Sequence, residues 1–454
     1  MKQRPNIIFY FSDQQRWDTL GCYGQKLPVT PNLDRLAREG AKFQNAFTCQ
    51  PVCGPARACL QTGKYATQVG CHTNGISLPL QAHTLAQYFN EAGYDTAYVG
   101  KWHLASDEVE NQYQTSAIPP QRRGGYKDYW MAADVLEFTS HGYNGHLFDG
   151  EGNKHEFTGY RADCVNNFAI DYLHNRKSQN PFFLFVSQIE PHHQNDHACC
   201  EGPDGSKERF QEYEVPGDLA GTQGNWRENY PDYLGCCNSL DQNVGRLMDT
   251  LQAMGLADNT IVFYTADHGS HFCTRNKEYK RSCHDGCTHI PLVAWGGAFS
   301  GVGTVEQMVS LLDLPATVLS CAGIPVPDDF QGKALDKLVT GGAAQWPDTI
   351  FMQISESQVG RAIRSRSWKY SVRADADSWQ DAGTDTYYED FLYDLERDPH
   401  ERNNLAGDPQ YATVRAQLAD KLIQRMVAAG EAVPKILPYA ERKGRALDSP
   451  ATVS

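Results

Sequence analysis

Along this chain, short runs in which nearly every residue is apolar alternate with stretches whose apolar positions recur every three or four residues. Asn6-Ile7-Ile8-Phe9-Tyr10-Phe11 reads as a buried first strand. Pro181-Phe182-Phe183-Leu184-Phe185-Val186 and Thr260-Ile261-Val262-Phe263-Tyr264-Thr265 repeat the pattern. Strands without a polar face belong in a parallel sheet covered on both sides. Pro31 to Gly40 opens with Pro and closes with Gly, the asymmetry of a helix. A second helix is expected at Thr84 to Gly93, followed by the strand Thr96-Ala97-Tyr98-Val99. From Tyr233 to Gly255, helical spacing puts Leu240, Val244, Leu247 and Leu251 on one face. This alternation predicts an α/β fold.

Two long segments lack periodicity and are expected to be loops that carry function: Ser106 to Tyr160 and Gln194 to Pro231. Near Pro325 to Pro347 the composition turns to Pro, Gly and Ala, which marks a boundary. Beyond it, Ala362 to Arg373 and Tyr387 to Leu395 alternate as exposed strands, and Pro409 to Ala429 reads as a closing amphipathic helix. The expected architecture is a large, mainly parallel central sheet flanked by helices. A small C-terminal α+β subdomain with an antiparallel sheet follows, with domains at 1–340 and 341–454.

Composition narrows the classes of function. The 454 residues are 41% hydrophobic and 21% charged, as in a globular protein with a sizeable core. A net charge of -14 argues against nucleic acid and anionic membranes as partners. No apolar run reaches the roughly 18 residues a membrane span needs, and Asn6 to Phe11 is too short for a signal-peptide core. The expected location is therefore cytoplasmic. The 14 cysteines lack the spacing of a disulfide scaffold. Cys49/Cys53 and Cys283/Cys287 have no second matching pair at zinc-ribbon spacing, so reduced thiols are expected.

The candidate chemistry begins at Cys53-Gly54-Pro55-Ala56-Arg57. An arginine near a cysteine at a helix start favours thiolate, whereas a buried free cysteine would be only a small core hydrophobe. Two buried strands end in residues of metal-ligand type, Asp13-Gln14 and Asp267-His268. Ligands in open α/β sheets bind beyond the carboxyl ends of the strands. Carboxylate and amide oxygens with one imidazole suit a divalent cation, mostly a hard one such as Ca²⁺. Lys101 and His103 follow another strand and would face the same side of extended chain. His192 comes just after the apolar strand, and Lys280 lies beyond the Asp267 loop.

The run Cys49 to Tyr65 resembles the sulfatase signature, C-x-P-S/A-R followed by a leucine, Thr-Gly and an aromatic, with Ala56 where Ser is more usual. TPNLDRLAREG, GKWHL, the Pro191-His192 pair, LDQNVGRL and LYDLERDPHERNNLA also look like sulfatase segments, in order, from strand one to near Leu405. The resemblance implies an alkaline-phosphatase-like fold. It also implies conversion of Cys53 to formylglycine by a maturing enzyme, either formylglycine-generating or radical. One divalent cation, Ca²⁺ first and Mn²⁺ second, would be held by Asp13, Gln14, Asp267 and His268. Gln14 stands where a second Asp is usual, with one negative charge fewer. His284-Asp285-Gly286-Cys287-Thr288-His289 departs from the family's E-G-x-R-x-P-L, with Asp for Glu and His for Arg, leaving His284 as a further candidate substrate contact.

As the resemblance implies, a hydroxyl of the hydrated aldehyde attacks sulfur and the alcohol departs. Lys101 and Lys280 neutralise sulfuryl charge, and His192, with Lys280, protonates the leaving oxygen. His103 takes the proton that expels sulfate, and Arg57 holds the nucleophile's turn. The substrate expected is a small-molecule or oligosaccharide sulfate ester, with a sulfated saccharide preferred. His72, Asn74, His193, His289 and Arg361, with His197 and Trp226, would line its pocket. One rival is a phosphonate or phosphate ester hydrolase of the same superfamily. Some phosphonate hydrolases share Asp-Gln with Asp-His but lack Lys-x-His, which favours sulfate. The other rival is a non-catalytic binder of sulfated ligands, which would be expected to have lost a catalytic position.

Overall fold

A computed structural model describes residues 4–106, 113–342, 345–375 and 381–441. The first expected strand is β1 (Asn6–Ser12). It is followed by β2 (Ala41–Phe47), β3 (Asp95–Lys101), β4 (Tyr129–Ala133), β5 (Ser140–His141), β6 (Asn144–Asp149) and β7 (Lys154–Thr158). Next come β8 (Phe182–Ser187), β9 (Thr260–Ala266), β10 (Leu292–Trp295) and β11 (Gly303–Ser310). They form an 11-stranded sheet in the order β11-β2-β10-β9-β1-β8-β3-β4-β6-β5, with β7 paired to β6. The central run β9-β1-β8-β3-β4 is parallel throughout. Its carboxyl ends therefore lie along one edge.

Both faces of this sheet are covered, as the unbroken apolar runs require. Ile7, Phe9 and Phe11 of β1 pack on one side with Ala56, Cys59 and Leu60 of the helix Cys53–Thr62. Ile8 and Tyr10 pack on the other with Leu240, Val244, Leu247 and Leu251 of the helix Trp226–Ala253. Phe9 stacks on Phe185 at 4.9 Å across the β1–β8 pair. Burying each such side chain contributes about 1.5–3 kcal/mol, so the strands that present the site belong to the most firmly packed part of the chain.

A second sheet has five strands in the order β12 (Thr349–Ile354), β13 (Gly360–Ser365), β14 (Trp368–Arg373), β15 (Thr386–Asp394), β16 (Lys435–Leu437). The first four are antiparallel, and β16 runs parallel to β15. The helix Ala412–Ala428 covers one face through Leu418, Leu422 and Met426. On the other side Met352, Ile354 and Ala362 pack with Phe47 and Met308 of the large sheet. The strands expected to be exposed are thus buried or half-buried, with Arg364 and Lys369 paired to Asp285 and Arg373 to Asp390.

The two expected loops also need correction. Residues 107–112 of the first lie outside the described residues; the rest of Ser106 to Tyr160 contains β4 to β7 and the one-turn helix Leu136–Thr139, elements too short for a long periodic signal. Gln194 to Pro231 contains the helix Ser206–Phe210 and the first turns of Trp226–Ala253. Among the described residues, no helix is long and apolar enough to cross a membrane.

Candidate active site

Four neighbouring parallel strands deliver the candidate residues at their carboxyl ends. The β1–β9 register pairs Ser12 with Ala266, which sets Asp13 beside Asp267. Lys101 is the last residue of β3, and His192 follows β8. Opposite these tips, the helix Cys53–Thr62 begins with its whole length buried and ends at Gly63, whose φ of 70° favours glycine and where a Cβ would meet the Phe330 ring at 2.6 Å. Cys53 and Arg57 are four residues apart and share a helix face.

These side chains converge. Cys53 Sγ lies 3.3 Å from Asp13 Oδ1, 3.2 Å from His268 Nε2 and 2.7 Å from Lys280 Nζ. Lys280 Nζ is also 3.3 Å from His192 Nε2. Lys101 Nζ forms ion pairs with Asp13 Oδ2 at 2.9 Å and Glu137 Oε2 at 3.1 Å. Arg57 donates to Asp13 Oδ2 at 3.0 Å, to Ser187 Oγ at 2.7 Å and to the Lys101 carbonyl at 3.0 Å.

Arg57 therefore braces the carboxylate and the strand tips, not the sulfur. Burial, then the Asp13 charge, pushes the Cys53 thiol up to about 12, outweighing Lys280 and Lys101. The expectation that the arginine favours thiolate is corrected: at neutral pH this sulfur is a protonated thiol. Burial and Lys101 hold His103 well below the usual imidazole range. Burial and Lys280 do the same to His192. Both rings are neutral.

Asp13, Cys53, Asp267 and His268 each offer a ligand atom, all within 4.8 Å of one another and all buried. The donor set fits a cation on three observations. His268 Nδ1 faces the Gly269 carbonyl at 2.9 Å, which sets the Nε2 lone pair toward the Cys53 sulfur and Lys280, on the side of the other ligand atoms. The Gln14 amide oxygen is buried without a hydrogen-bond partner. Burial and Asp13 push the Asp267 carboxyl up to about 7, a crowding of carboxylates that a cation would relieve.

The remaining candidates separate. His193 stands against the Tyr279 ring at 5.1 Å, one residue from His192. Asn74, on the loop with His72, accepts a hydrogen bond from the Gly54 amide at 2.9 Å. His289 is stacked between Trp17 and Phe47 and bonds the Gln44 carbonyl at 3.0 Å. Arg361 is held by Glu431 at 2.8 Å and by the Gly360 and Ala382 carbonyls. These polar contacts of His289 and Arg361 run to scaffold groups, away from the side chains that meet at Cys53. Trp226 likewise lies in a buried aromatic cluster, and His284 bridges Ser282 and Tyr393. His197 is near the surface, paired with Glu201 and stacked on His141.

Sequence reasoning missed Glu137, Ser187, Arg281 and Glu356. Glu137 sits in a segment expected to be loop, and no motif surrounds it. Backbone strain is a second signal invisible in sequence: Gln14, His103, Arg281 and Glu356 all have positive φ, between 59° and 69°. Side chains rarely adopt that region, and such residues cluster at functional sites.

Comparison with known proteins agrees with this geometry. The Sulfatase family model matches residues 5–324, and the model for the C-terminal region of N-sulphoglucosamine sulphohydrolase matches residues 277–428. An ulvan-active sulfatase from Formosa agariphila is 29% identical over 445 residues, covering 94% of this chain and 82% of that protein. An N-acetylglucosamine-6-O-sulfatase from Bacteroides thetaiotaomicron is 26% identical, covering 92% and 86%. The crystal structure of yidJ from Bacteroides fragilis superposes with a TM-score of 0.80 at 27% identity, covering 95% of this chain and 98% of that one. The family model begins at the foot of β1 and runs past the Asp267, Lys280 and β11 segments, and so spans every strand tip at which these side chains meet: the chain belongs to the sulfatase family and is a sulfuric ester hydrolase.

Proposed function

We propose that this protein hydrolyses the sulfate monoester of a saccharide, with Cys53 converted to formylglycine by a maturing enzyme. A divalent cation, Ca²⁺ before Mn²⁺, is held by Asp13, Gln14, Asp267 and His268. The observation that carries the reading is the meeting of Cys53 with Lys280, His268 and Asp13 within 3.3 Å. A buried thiol raised to about 12 is a poor nucleophile, which favours its role as a precursor. When present, formylglycine supplies a hydroxyl nucleophile and the cation neutralises sulfuryl charge.

The other steps belong to side chains of this chain. Asp13 and Glu137 hold Lys101 protonated despite burial, and the Cys53 sulfur, Tyr279 and Asp13 raise Lys280 against burial, so the two set positive charge where sulfuryl charge develops. The Lys280–His192 pair delivers the proton to the departing sugar oxygen: Lys280 carries it, and neutral His192 stands 3.3 Å away to position and relay it. His103 has an unpartnered buried Nδ1 and is neutral, as a base must be for the proton whose removal expels sulfate. Arg57 keeps Asp13 and the Cys53 helix in register. We assign these roles to a catalytic domain at 1–340, with 341–454 as the C-terminal subdomain. The similar N-acetylglucosamine-6-O-sulfatase points toward saccharide esters.

The test joins mass analysis of the Cys53 peptide to turnover on sulfated saccharides, an aryl sulfate and an aryl phosphonate. The expected result is a converted Cys53, sulfate release exceeding phosphonate cleavage, and a Cys53→Ser variant that folds but is nearly inactive. Turnover by protein with unmodified Cys53 would overturn the mechanism. Faster phosphonate cleavage would hand the site to the rival ester class.

A further inference from the structure

The C-terminal sheet supplies a wall of the site. The segment after β12 is fastened by Gln50 Nε2, which donates to Ser355 Oγ at 2.8 Å, and by Ser357 Oγ, which donates to the Arg281 carbonyl. Between these anchors Glu356 accepts from the Asn74 backbone amide and lies 3.4 Å from Asn74 Nδ2. Its other close partner is Arg281, through Oε2 and Nη2. Arg281 directly follows Lys280, whose Nζ is 2.7 Å from Cys53 Sγ, while Asn74 Oδ1 holds the amide next to Cys53. These groups therefore lie one residue from Lys280 and one residue from Cys53.

Charge and strain give this arrangement a meaning. Arg281 and Glu356 have φ values of 69° and 66°, a cost packing alone does not require of exposed-rim residues. Their side chains retain 19% and 11% exposure, so both are partly open to solvent. Arg281 faces two carboxylates, Glu356 and, at 3.0 Å, Glu278. One cation against two anions leaves the rim net negative, whereas the sulfate position behind it holds Lys101 and Lys280. A second sulfate or a carboxylate on the departing sugar would meet like charge there. Hydroxyls would not: the carboxylates accept from them, and the guanidinium hydrogens of Arg281 not taken by Glu278 and Glu356 donate to them.

We infer that Asn74, Arg281 and Glu356, with Glu278, form the subsite for the leaving group and select an uncharged, hydroxyl-bearing sugar unit carrying a single sulfate. The inference rests on the sulfated-saccharide reading and deepens it. Glu356 is a specificity-determining contact contributed by the second sheet.

The test compares kcat/KM of wild type, Glu356→Gln and Glu278→Gln on three substrates: an N-acetylhexosamine monosulfate, the corresponding disulfate and an aryl sulfate. Wild type should favour the monosulfate over the disulfate by about tenfold or more. Both variants should narrow that ratio, and Glu356→Gln should lose more on the monosaccharide than on the aryl ester, chiefly through KM. Wild type that turns over the disulfate as well as the monosulfate would overturn the subsite assignment alone. Equal losses by Glu356→Gln on sugar and aryl esters would reduce Glu356 to a packing link. Should Glu356→Gln fail to fold, the disulfate ratio of the more exposed Glu278→Gln decides. Absence of turnover on every sulfate ester by protein with a converted Cys53 would overturn the parent reading and this one together.

Discussion

Arg57 shows how much a single side chain can organise at the centre of the site. Its planar fork reaches Asp13, Ser187 and the Lys101 carbonyl at once, and its guanidinium carbon lies 5.2 Å over the Phe11 ring. The sequence places an arginine four residues after Cys53 but cannot tell whether it serves the sulfur or the Asp13 carboxylate, because both readings share the spacing. A lysine here would keep the charge and lose the fork. Arg57→Lys is therefore expected to fold, with kcat reduced about a hundredfold, as for loss of a positioning contact. The cation should also bind more weakly because Asp13 is less well held. Steady-state kinetics and the rise in melting temperature on titrating Ca²⁺ check the two effects separately. Unchanged kcat with an unchanged Ca²⁺ response would mean that Arg57 only fills space.

At the scale of elements, the strands that carry the site were legible and the loops that complete it were not. Apolar runs identify β1, β8 and β9, and the polar pairs that follow them identify the strand tips, because burial forces a sharp change of composition there. Glu137 and Glu356 were hidden for the opposite reason: each lies on a short connection whose conformation is set by tertiary partners, not by local pattern. Arg361, His289 and Trp226 were chosen as polar or aromatic wall residues, yet buried partners absorb their polar groups or bury their rings. The register of β3 against β8 depends on one glycine. Gly100 has φ of 103°, and a Cβ there would come within 1.9 Å of the Ser187 carbonyl oxygen. Gly100→Ala must shift β3 away from β8 next to Lys101, since backbone cannot give way as a flexible side chain can. A loss of about 2–4 kcal/mol in denaturant stability is expected. Activity should be lost even in the folded fraction, because Lys101 moves with the strand. A variant of wild-type stability would show that β3 has slack the register does not suggest.

For the whole molecule, the question is whether the two sheets behave as one body. Besides the apolar contact of Met352, Ile354 and Ala362 with Phe47 and Met308, a buried ionic clasp joins them. Asp285, just beyond the Lys280 segment, pairs with Arg364 of β13 at 3.0 Å and with Lys369 of β14, and Lys369 also pairs with Glu401. The Asp285 amide donates to Glu401 Oε2 at 2.7 Å. Burial alone would raise the Asp285 carboxyl, but Arg364 and Lys369 hold it far below the usual carboxylate range. In sequence Asp285 looked only like a departure from a family motif. Its partners lie beyond the compositional boundary near residue 340, so no local reading connects them. Removing Lys369 leaves Asp285 with Arg364 alone and takes the ion-pair partner from buried Glu401, and breaking a buried pair in this way costs about 3–5 kcal/mol. Lys369→Met should therefore lower the stability of the entire chain by that amount while a single unfolding transition persists in chemical denaturation followed by two probes. If the second sheet instead melts first and alone, the clasp is local. Glu356, which follows β12, would then be positioned by its own anchors at Gln50 and Arg281 and not by the union of the two sheets.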